Sequence, residues 1–154
     1  MDKITHHSFT LDRHYPHPTA RVFGAFTDPA ARLRWFFMSD AWTLHALGAP
    51  PKVEAQATER SRFSPPGSSA VLTNDTTYCF VQPGRRLIFT YAMTINGAPL
   101  SASLCTVDFQ TADGGTRLEF TEQGAYFDGF AKGRAEGTQH MLLRFGQELD
   151  SGTI

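Results

Sequence analysis

The stretch HMLLRFGQEL, residues 140–149, is the strongest helical signal in this 154-residue sequence and lies near its C-terminal end. Met141, Leu142, Phe145 and Leu149 recur at the three- and four-residue spacing that places them on one face of a helix. Such a face is stable only when it packs against another apolar surface. The preceding sequence therefore has to supply that surface.

A second helical pattern lies near the N-terminus, in residues 18–37. Pro18 suits the first turn of a helix, because the missing N–H of proline needs no partner there. Asp28-Pro29 then combines a favoured N-cap residue with a favoured first helical residue, which predicts that another short helix begins at this point. We expect both helices to follow a first strand at residues 6–15.

The middle of the sequence is typical of antiparallel strands joined by hairpin turns. Strict alternation of large apolar residues gives the clearest strand, formed by Leu87, Phe89, Tyr91, Met93 and Ile95. Asn96-Gly97 and Asp113-Gly114 are turn signals, because both positions of each pair tolerate a positive φ. We also expect strands at residues 53–63 and 70–81, whereas residues 39–52, which hold Trp42 and His45, show no period and predict an irregular connection.

Glycines interrupt the start of the C-terminal helical pattern. Gly129, Gly133 and Gly137 recur every four residues, and each costs about 1 kcal/mol relative to alanine inside a helix. Two interpretations stay open. Either the segment before Ala135 is a loop or a frayed helix, or the helix begins earlier and carries a stripe without side chains that touches another backbone or leaves room for a ligand.

Composition excludes several classes of function. The net charge of −1, without a block of like charges, gives no basic surface for nucleic acid or an anionic membrane. No apolar run approaches the roughly 20 residues that span a bilayer, and the N-terminal residues lack a secretory signal, so we expect a cytoplasmic protein of one domain over residues 1–154. We interpret Cys79 and Cys105 as two buried thiols in a reducing compartment, with a disulfide between neighbouring strands as the alternative.

Motifs for common chemistries are absent from the sequence. It contains no phosphate-binding glycine loop and no GxSxG nucleophile elbow. His14 and His17 have a metal-ligand spacing, but Pro16 lies between them and no third ligand is apparent, so no metal is expected. Glu119 and Glu122 are interpreted as solvent-facing carboxylates rather than as a pair that shares a proton.

Several segments, in order, resemble one family over residues 8–149. The opening segments are Val22-Phe23, Phe26-Thr27-Asp28-Pro29 and Arg34-Trp35-Phe36. The segments that resemble the family's central hairpin are residues 78–81, Pro83 and residues 86–91. The later segments are Gly115-Thr116-Arg117-Leu118, Thr121-Glu122-Gln123-Gly124, Asp128-Gly129 and Glu136-Gly137-Thr138. This order and spacing are similar to those of START-like, Bet v 1-like proteins of the Hsp90-ATPase-activator-homologue group.

The resemblance implies an α+β helix-grip fold. A curved antiparallel sheet of six or seven strands would surround the long C-terminal helix, two short helices would close one end, and a cavity would lie between sheet and helix. Many relatives carry a glycine-rich strand where this chain has residues 53–63 without a Gly-Gly pair, a departure that we expect to straighten the strand and narrow the cavity.

From this architecture we predict that large, stiff side chains line an apolar cavity that binds a small hydrophobic or aromatic molecule, lipid- or polyketide-like. The candidate ligand-binding residues are Trp35, Trp42, Phe63, Tyr78, Phe80, Phe89, Tyr91, Met93, Phe130, His140 and Met141. The alternatives are an enzyme of the cyclase or hydrolase kind and a protein-interaction domain that contacts a chaperone, as the family name implies. We expect no cofactor, no nucleic acid and no membrane partner, and a homodimer stays open.

Overall fold

A computed structural model describes residues 3–36, 41–127 and 131–154. These residues form seven strands and three helices. In chain order they are β1 (Ile4–Tyr15), α1 (Thr19–Thr27), α2 (Pro29–Trp35), β2 (Thr43–Gly48), β3 (Thr58–Ser64), β4 (Leu72–Gln82), β5 (Arg86–Ile95), β6 (Ala98–Ala112), β7 (Gly115–Phe127) and α3 (Ala131–Ser151). The α+β helix-grip expectation is confirmed, with seven strands rather than six.

The strands form one antiparallel sheet in the order β1-β7-β6-β5-β4-β3-β2. Every neighbour except the β1–β7 pair is also a neighbour in sequence. The N-terminal strand therefore pairs with the last strand along twelve registered residues, from Ile4 opposite Phe127 to Tyr15 opposite Thr116. This pairing leaves β1 and β2 as the two edges of the sheet.

Local turn chemistry fixes the hairpins as predicted. Asn96 and Gly97 have φ values of 48° and 82°, and Asp113 and Gly114 have φ values of 48° and 74°. Positive φ at both central residues is the geometry of the type I′ turn, whose twist matches that of the flanking strands. The Asp28 prediction is also confirmed, because an Asp28 carboxylate oxygen accepts a hydrogen bond from the Ala31 N–H at 2.8 Å and caps α2.

The C-terminal helix packs its apolar face on the sheet and on the two short helices. Thr138, Leu142, Phe145 and Leu149 are its buried residues after the first turns. The ring of Phe145 lies 5.0–5.6 Å from the rings of Tyr15, Phe26 and Trp35 in edge-on contacts. The second half of α3 therefore completes the main hydrophobic core.

Three predictions about elements are wrong. Residues 43–48, expected to be irregular, form the edge strand β2, which pairs with β3. The strand expected from residue 53 begins only at Thr58, because Gln56 has a φ of 71° and its N–H binds the Tyr78 carbonyl in a tight turn. Finally, α3 is already helical from Ala131, so the interpretation of a loop before Ala135 is wrong for residues 131–134, the described part of that stretch.

None of the helices in the described parts of the chain is both long enough and apolar enough to cross a bilayer.

Candidate functional site

A cavity of about 350 Å³ lies between the sheet and the first half of α3. Its walls come from the ends of α1 and α2, from strands β3 to β7, and from α3. On α3 the lining residues are Gly133, Arg134, Gly137, Thr138 and Met141, whereas the apolar residues further along the helix are used in the core. Two of the three regularly spaced glycines therefore lie in the cavity wall, which agrees with the interpretation of a side-chain-free stripe that leaves space; Gly129 lies outside the described residues.

Seven of the candidate ligand-binding residues share this cavity wall. They are Trp35, Trp42, Phe63, Phe89, Tyr91, Met93 and Met141. Rings of the cavity wall pack next to one another: the centroids of Trp42 and Phe63 are 5.8 Å apart, and those of Phe63 and Phe36 are 6.5 Å apart. Their proximity is a geometrical fact, and their role in binding stays a prediction.

Three candidates lie elsewhere, and Phe130 falls outside the described residues. Tyr78 is buried in the core without lining the cavity. Phe80 is 44% exposed, because the register shift between Tyr78 and Phe80 inserts an extra residue and turns the later side chains over. His140 is exposed, since it lies two residues from Thr138 and therefore on the opposite face of α3.

A buried carboxylate at one end of the cavity was missed by the sequence interpretation. Glu122 has no exposed surface and accepts hydrogen bonds from Tyr91 Oη at 2.7 Å, Tyr126 Oη at 2.5 Å and Ser103 Oγ at 3.0 Å. The Cys105 thiol donates a fourth, longer bond at 3.5 Å. Each carboxylate oxygen therefore accepts two hydrogen bonds. The expectation that Glu122 faces water is wrong.

The sequence does contain a signal for this burial. Glu122 continues the alternation of Leu118 and Phe120, which are core residues on the inner face of β7. Glu119 has the opposite parity and makes a partly exposed ion pair with Arg117 at 3.1 Å, as expected for an outward-facing carboxylate. Strand parity, rather than the spacing of the two glutamates, separates their roles.

The hydroxyl and thiol groups around Glu122 are held in their protonated forms. Burial raises the pKa of Tyr91 well above its ordinary value, and the nearby Glu122 carboxylate raises it further. Burial likewise raises the pKa of Tyr126 and of the Cys105 thiol, with Glu122 as the second cause. These groups therefore remain hydrogen-bond donors at neutral pH and offer no ready thiolate or phenolate nucleophile.

Arg134 of α3 extends over the same end of the cavity. Its Nη1 donates to Tyr91 Oη and its Nη2 donates to Ser101 Oγ, both at 2.8 Å. Its guanidinium carbon lies 5.3 Å from the ring centre of Tyr91 and 5.5 Å from that of Tyr126. The distance from Nη1 to the nearest Glu122 oxygen is 3.7 Å, so the two charges attract each other without a direct hydrogen bond.

A second buried ion pair lies beside the cavity, and its Arg32 member on α2 is part of the cavity wall. Arg32 donates to both oxygens of Glu59 on β3, at 2.7 and 3.1 Å, and its guanidinium packs on the rings of Trp35 and Phe36. The hydroxyl of Tyr78 lies buried without a hydrogen-bond partner among the described residues. Burial raises the pKa of Tyr78, so this hydroxyl is neutral at physiological pH.

The remaining candidate groups have ordinary roles. Cys79 is exposed, contrary to the expectation of two buried thiols, and both cysteines are free.

The two histidines with metal-ligand spacing bind other groups. His17 forms hydrogen bonds with Asp150 and with Arg21, both at 2.8 Å. His14 lies against the Ala112 carbonyl. Across residues 3–36, 41–127 and 131–154 no group of three or more His, Cys, Asp or Glu side chains is arranged to hold a metal ion.

A sheet that grips a long C-terminal helix around an apolar cavity defines the START-like, Bet v 1-like class of proteins. The family described as activator of Hsp90 ATPase homolog 1-like protein matches residues 16–150. The chain belongs to this family.

Solved structures agree with this assignment. A protein from Rhizobium leguminosarum is 31% identical, with 98% of this chain and 99% of that chain covered and a TM-score of 0.89. The Mll3558 protein from Rhizobium loti is 38% identical over 95% of this chain and 99% of its own, with a TM-score of 0.84. An AHSA1-like protein from Aeromonas hydrophila, 18% identical over 96% and 94% of the two chains, shares the fold at a TM-score of 0.70. No protein of curated function matches this chain in sequence.

Proposed function

We propose that this protein binds a small hydrophobic or aromatic molecule, lipid- or polyketide-like, in the cavity between the sheet and α3. The observation that supports the proposal is a ring-lined space of about 350 Å³ in an otherwise packed interior. Protein interiors are normally close-packed, and an unfilled apolar space of this size lowers the stability of the fold, which favours a binding role for the space.

The size and lining of the cavity indicate the kind of ligand. Apolar cavities of about 150 Å³ stay free of water and hold a benzene molecule. This cavity is more than twice as large and lies at the lower end of the range of about 300–1,000 Å³ for ligand pockets. A molecule with two or three fused rings, or a short lipid chain, fits such a volume.

Thermal denaturation with 2-ethylnaphthalene tests the proposal. A ligand that binds only the folded protein stabilises it by about 1.4 kcal/mol at ten times its Kd, which raises the Tm of a chain of this length by roughly 3–6 °C. Met141→Trp places a larger side chain in the cavity wall and is expected to abolish the increase. Leu143→Trp is the matched control, because Leu143 lies on the same helix and is 58% exposed.

Two results would count against the proposal. One is an unchanged Tm for the parent protein across a panel of aromatic and lipid compounds. The other is an equal increase in the parent protein and in a folded Met141→Trp variant, which would place the compound outside the cavity. The alternatives, a chaperone contact and a cyclase or hydrolase activity, stay predictions.

A further inference from the structure

We infer that the cavity selects ligands that carry a neutral oxygen acceptor, above all an aromatic ketone, and that Arg134 donates the hydrogen bond to that oxygen. The inference rests on the proposed function and names the ligand class of the same site. It depends on the arrangement of hydrogen bonds and charges at the end of the cavity formed by Tyr91, Glu122 and Arg134.

Arg134 has more N–H groups than it uses for hydrogen bonds to the described residues. A guanidinium has five N–H groups, and that of Arg134 uses one for Tyr91 Oη and one for Ser101 Oγ among the described residues. Glu122 makes no hydrogen bond with it, because four other donors already occupy the carboxylate oxygens. Arg134 can therefore bind a ligand oxygen without taking a donor from Glu122.

The guanidinium is also held in place before any ligand arrives. It packs on the rings of Tyr91 and Tyr126, and its two hydrogen bonds fix the plane of the fork. The Arg134 side chain is 12% exposed, so little rotational freedom remains to be lost on binding. The other arginine of the wall is Arg32, whose Nε and Nη2 both donate to Glu59. The bidentate face of its guanidinium is therefore not open to a ligand oxygen.

Charge balance decides between a neutral and an anionic ligand. The charged side chains of the described cavity wall are Arg32, Glu122 and Arg134. Arg32 is paired with Glu59, and Arg134 is balanced by Glu122 at 3.7 Å, so the two positive and two negative charges cancel. A ligand carboxylate would bring an uncompensated charge into an apolar cavity, which is costly. A ketone oxygen accepts the same hydrogen bond without that cost.

Three probes of nearly equal size test the inference: 2-ethylnaphthalene, 2-acetylnaphthalene and 2-naphthoate. Equilibrium dialysis of the full chain at pH 7 gives the three Kd values. We expect the ketone to bind about tenfold more tightly than the ethyl compound, as a hydrogen bond to a charged donor predicts. The naphthoate is expected to bind no more tightly than the ethyl compound.

Substitution of the donor identifies the residue responsible. In Arg134→Met the ketone and the ethyl compound should bind within about twofold of each other, because the donor is gone and an apolar stem remains. Lys132→Met removes a positive charge from an exposed position on the same helix and should preserve the tenfold preference.

The outcomes separate this inference from the proposed function. If the ethyl compound binds but the ketone gains nothing, or if the naphthoate binds best, the inference is wrong while the cavity remains a binding site. A preference that persists in Arg134→Met would also overturn it. If none of the three probes binds, the inference is wrong, and the proposed function fails as well when the panel of aromatic and lipid compounds leaves the Tm unchanged. The comparison of probes in the parent protein needs no variant to fold.

Discussion

At the scale of single residues, the hydrogen bonds that hold the buried Glu122 carboxylate require a glycine at position 124. Gly124 lies between Glu122 and Tyr126 on the same face of β7, and the ring of Tyr126 crosses over it to reach Glu122. A Cβ atom at Gly124 would lie 2.5 Å from Tyr126 Cζ and 2.8 Å from Ser103 Oγ. The glycine therefore permits two of the four hydrogen bonds that hold Glu122.

Gly124→Ala should consequently lower the free energy of unfolding by about 1–3 kcal/mol, as expected when an added methyl group forces well-packed neighbours apart. Urea denaturation followed by circular dichroism measures the change. Gly24→Ala is the matched control: Gly24 is exposed within α1, and a Cβ there meets nothing within 4 Å. This control should be stabilising by up to about 1 kcal/mol. Equal effects of the two substitutions would contradict the steric explanation.

At the scale of elements, α3 combines two functions along its length. Its first half faces the cavity with Gly133 and Gly137 in the wall, and its second half fills the core with Phe145 and Leu149. Hydrogen bonds tie its end to the short helices, since Arg21 of α1 donates to the Leu149 carbonyl and Arg34 of α2 binds Glu148, both at 2.8 Å. The packed half thereby holds the open half over the cavity.

Phe145→Ala should therefore destabilise the whole molecule, by about 3–5 kcal/mol, because it removes a fully buried ring that contacts three other aromatic rings. Leu143→Ala, at the exposed position two residues earlier, should change stability by no more than about 0.5 kcal/mol. Chemical denaturation of both variants measures the difference. A loss below 1 kcal/mol in Phe145→Ala would show that the second half of α3 is not part of the core.

The sequence predicts an element well where the residues of a turn determine the local backbone. It predicts an element poorly where the structure depends on pairing with another strand. The Asn96-Gly97 and Asp113-Gly114 hairpins follow from the φ values that these residues tolerate. Strand β2 has mostly exposed residues and forms by pairing with β3, so no hydrophobic alternation marks it in the sequence. The bulge after Tyr78 has no composition signal either, and it places Phe80 on the outer face.

The same distinction applies to the cavity. Large aromatic residues on inward-facing strand positions were predictable, because alternation assigns them to one face. The contact of Arg134 with Tyr91 and Ser101 joins residues 43 and 33 positions apart, and only the packing of α3 on the sheet brings them together. Polar networks of this kind depend on tertiary structure, which is why the sequence interpretation did not find the contacts of Arg134 and Glu122.

At the scale of the whole molecule, all four tyrosines of the chain lie in the interior. Tyr15 donates to the Leu142 carbonyl at 2.9 Å, Tyr91 and Tyr126 bind Glu122, and Tyr78 lies beside the Arg32–Glu59 pair. Burial is the leading cause that raises the pKa of each one above its ordinary value of 10.0. The folded state therefore resists ionisation of every tyrosine.

This arrangement predicts cooperative alkaline unfolding. A tyrosine whose folded pKa is raised contributes its full stability below pH 10 and loses it as the pH rises, because only the unfolded state releases the proton. Each pH unit above 10 then lowers the free energy of unfolding by about 1.4 kcal/mol per tyrosine. For all four tyrosines the loss is between about 5 and 6 kcal/mol per pH unit while they stay protonated in the folded state. Since typical domains have about 5–15 kcal/mol of stability, this loss exhausts it within about one to three units above pH 10, and we expect unfolding between roughly pH 11 and 13. Absorbance at 295 nm should rise for all four tyrosines together with the loss of circular dichroism, and Tyr126→Phe should make the pH dependence about one quarter less steep. A tyrosine that ionises near pH 10 while the circular dichroism is unchanged would contradict the prediction.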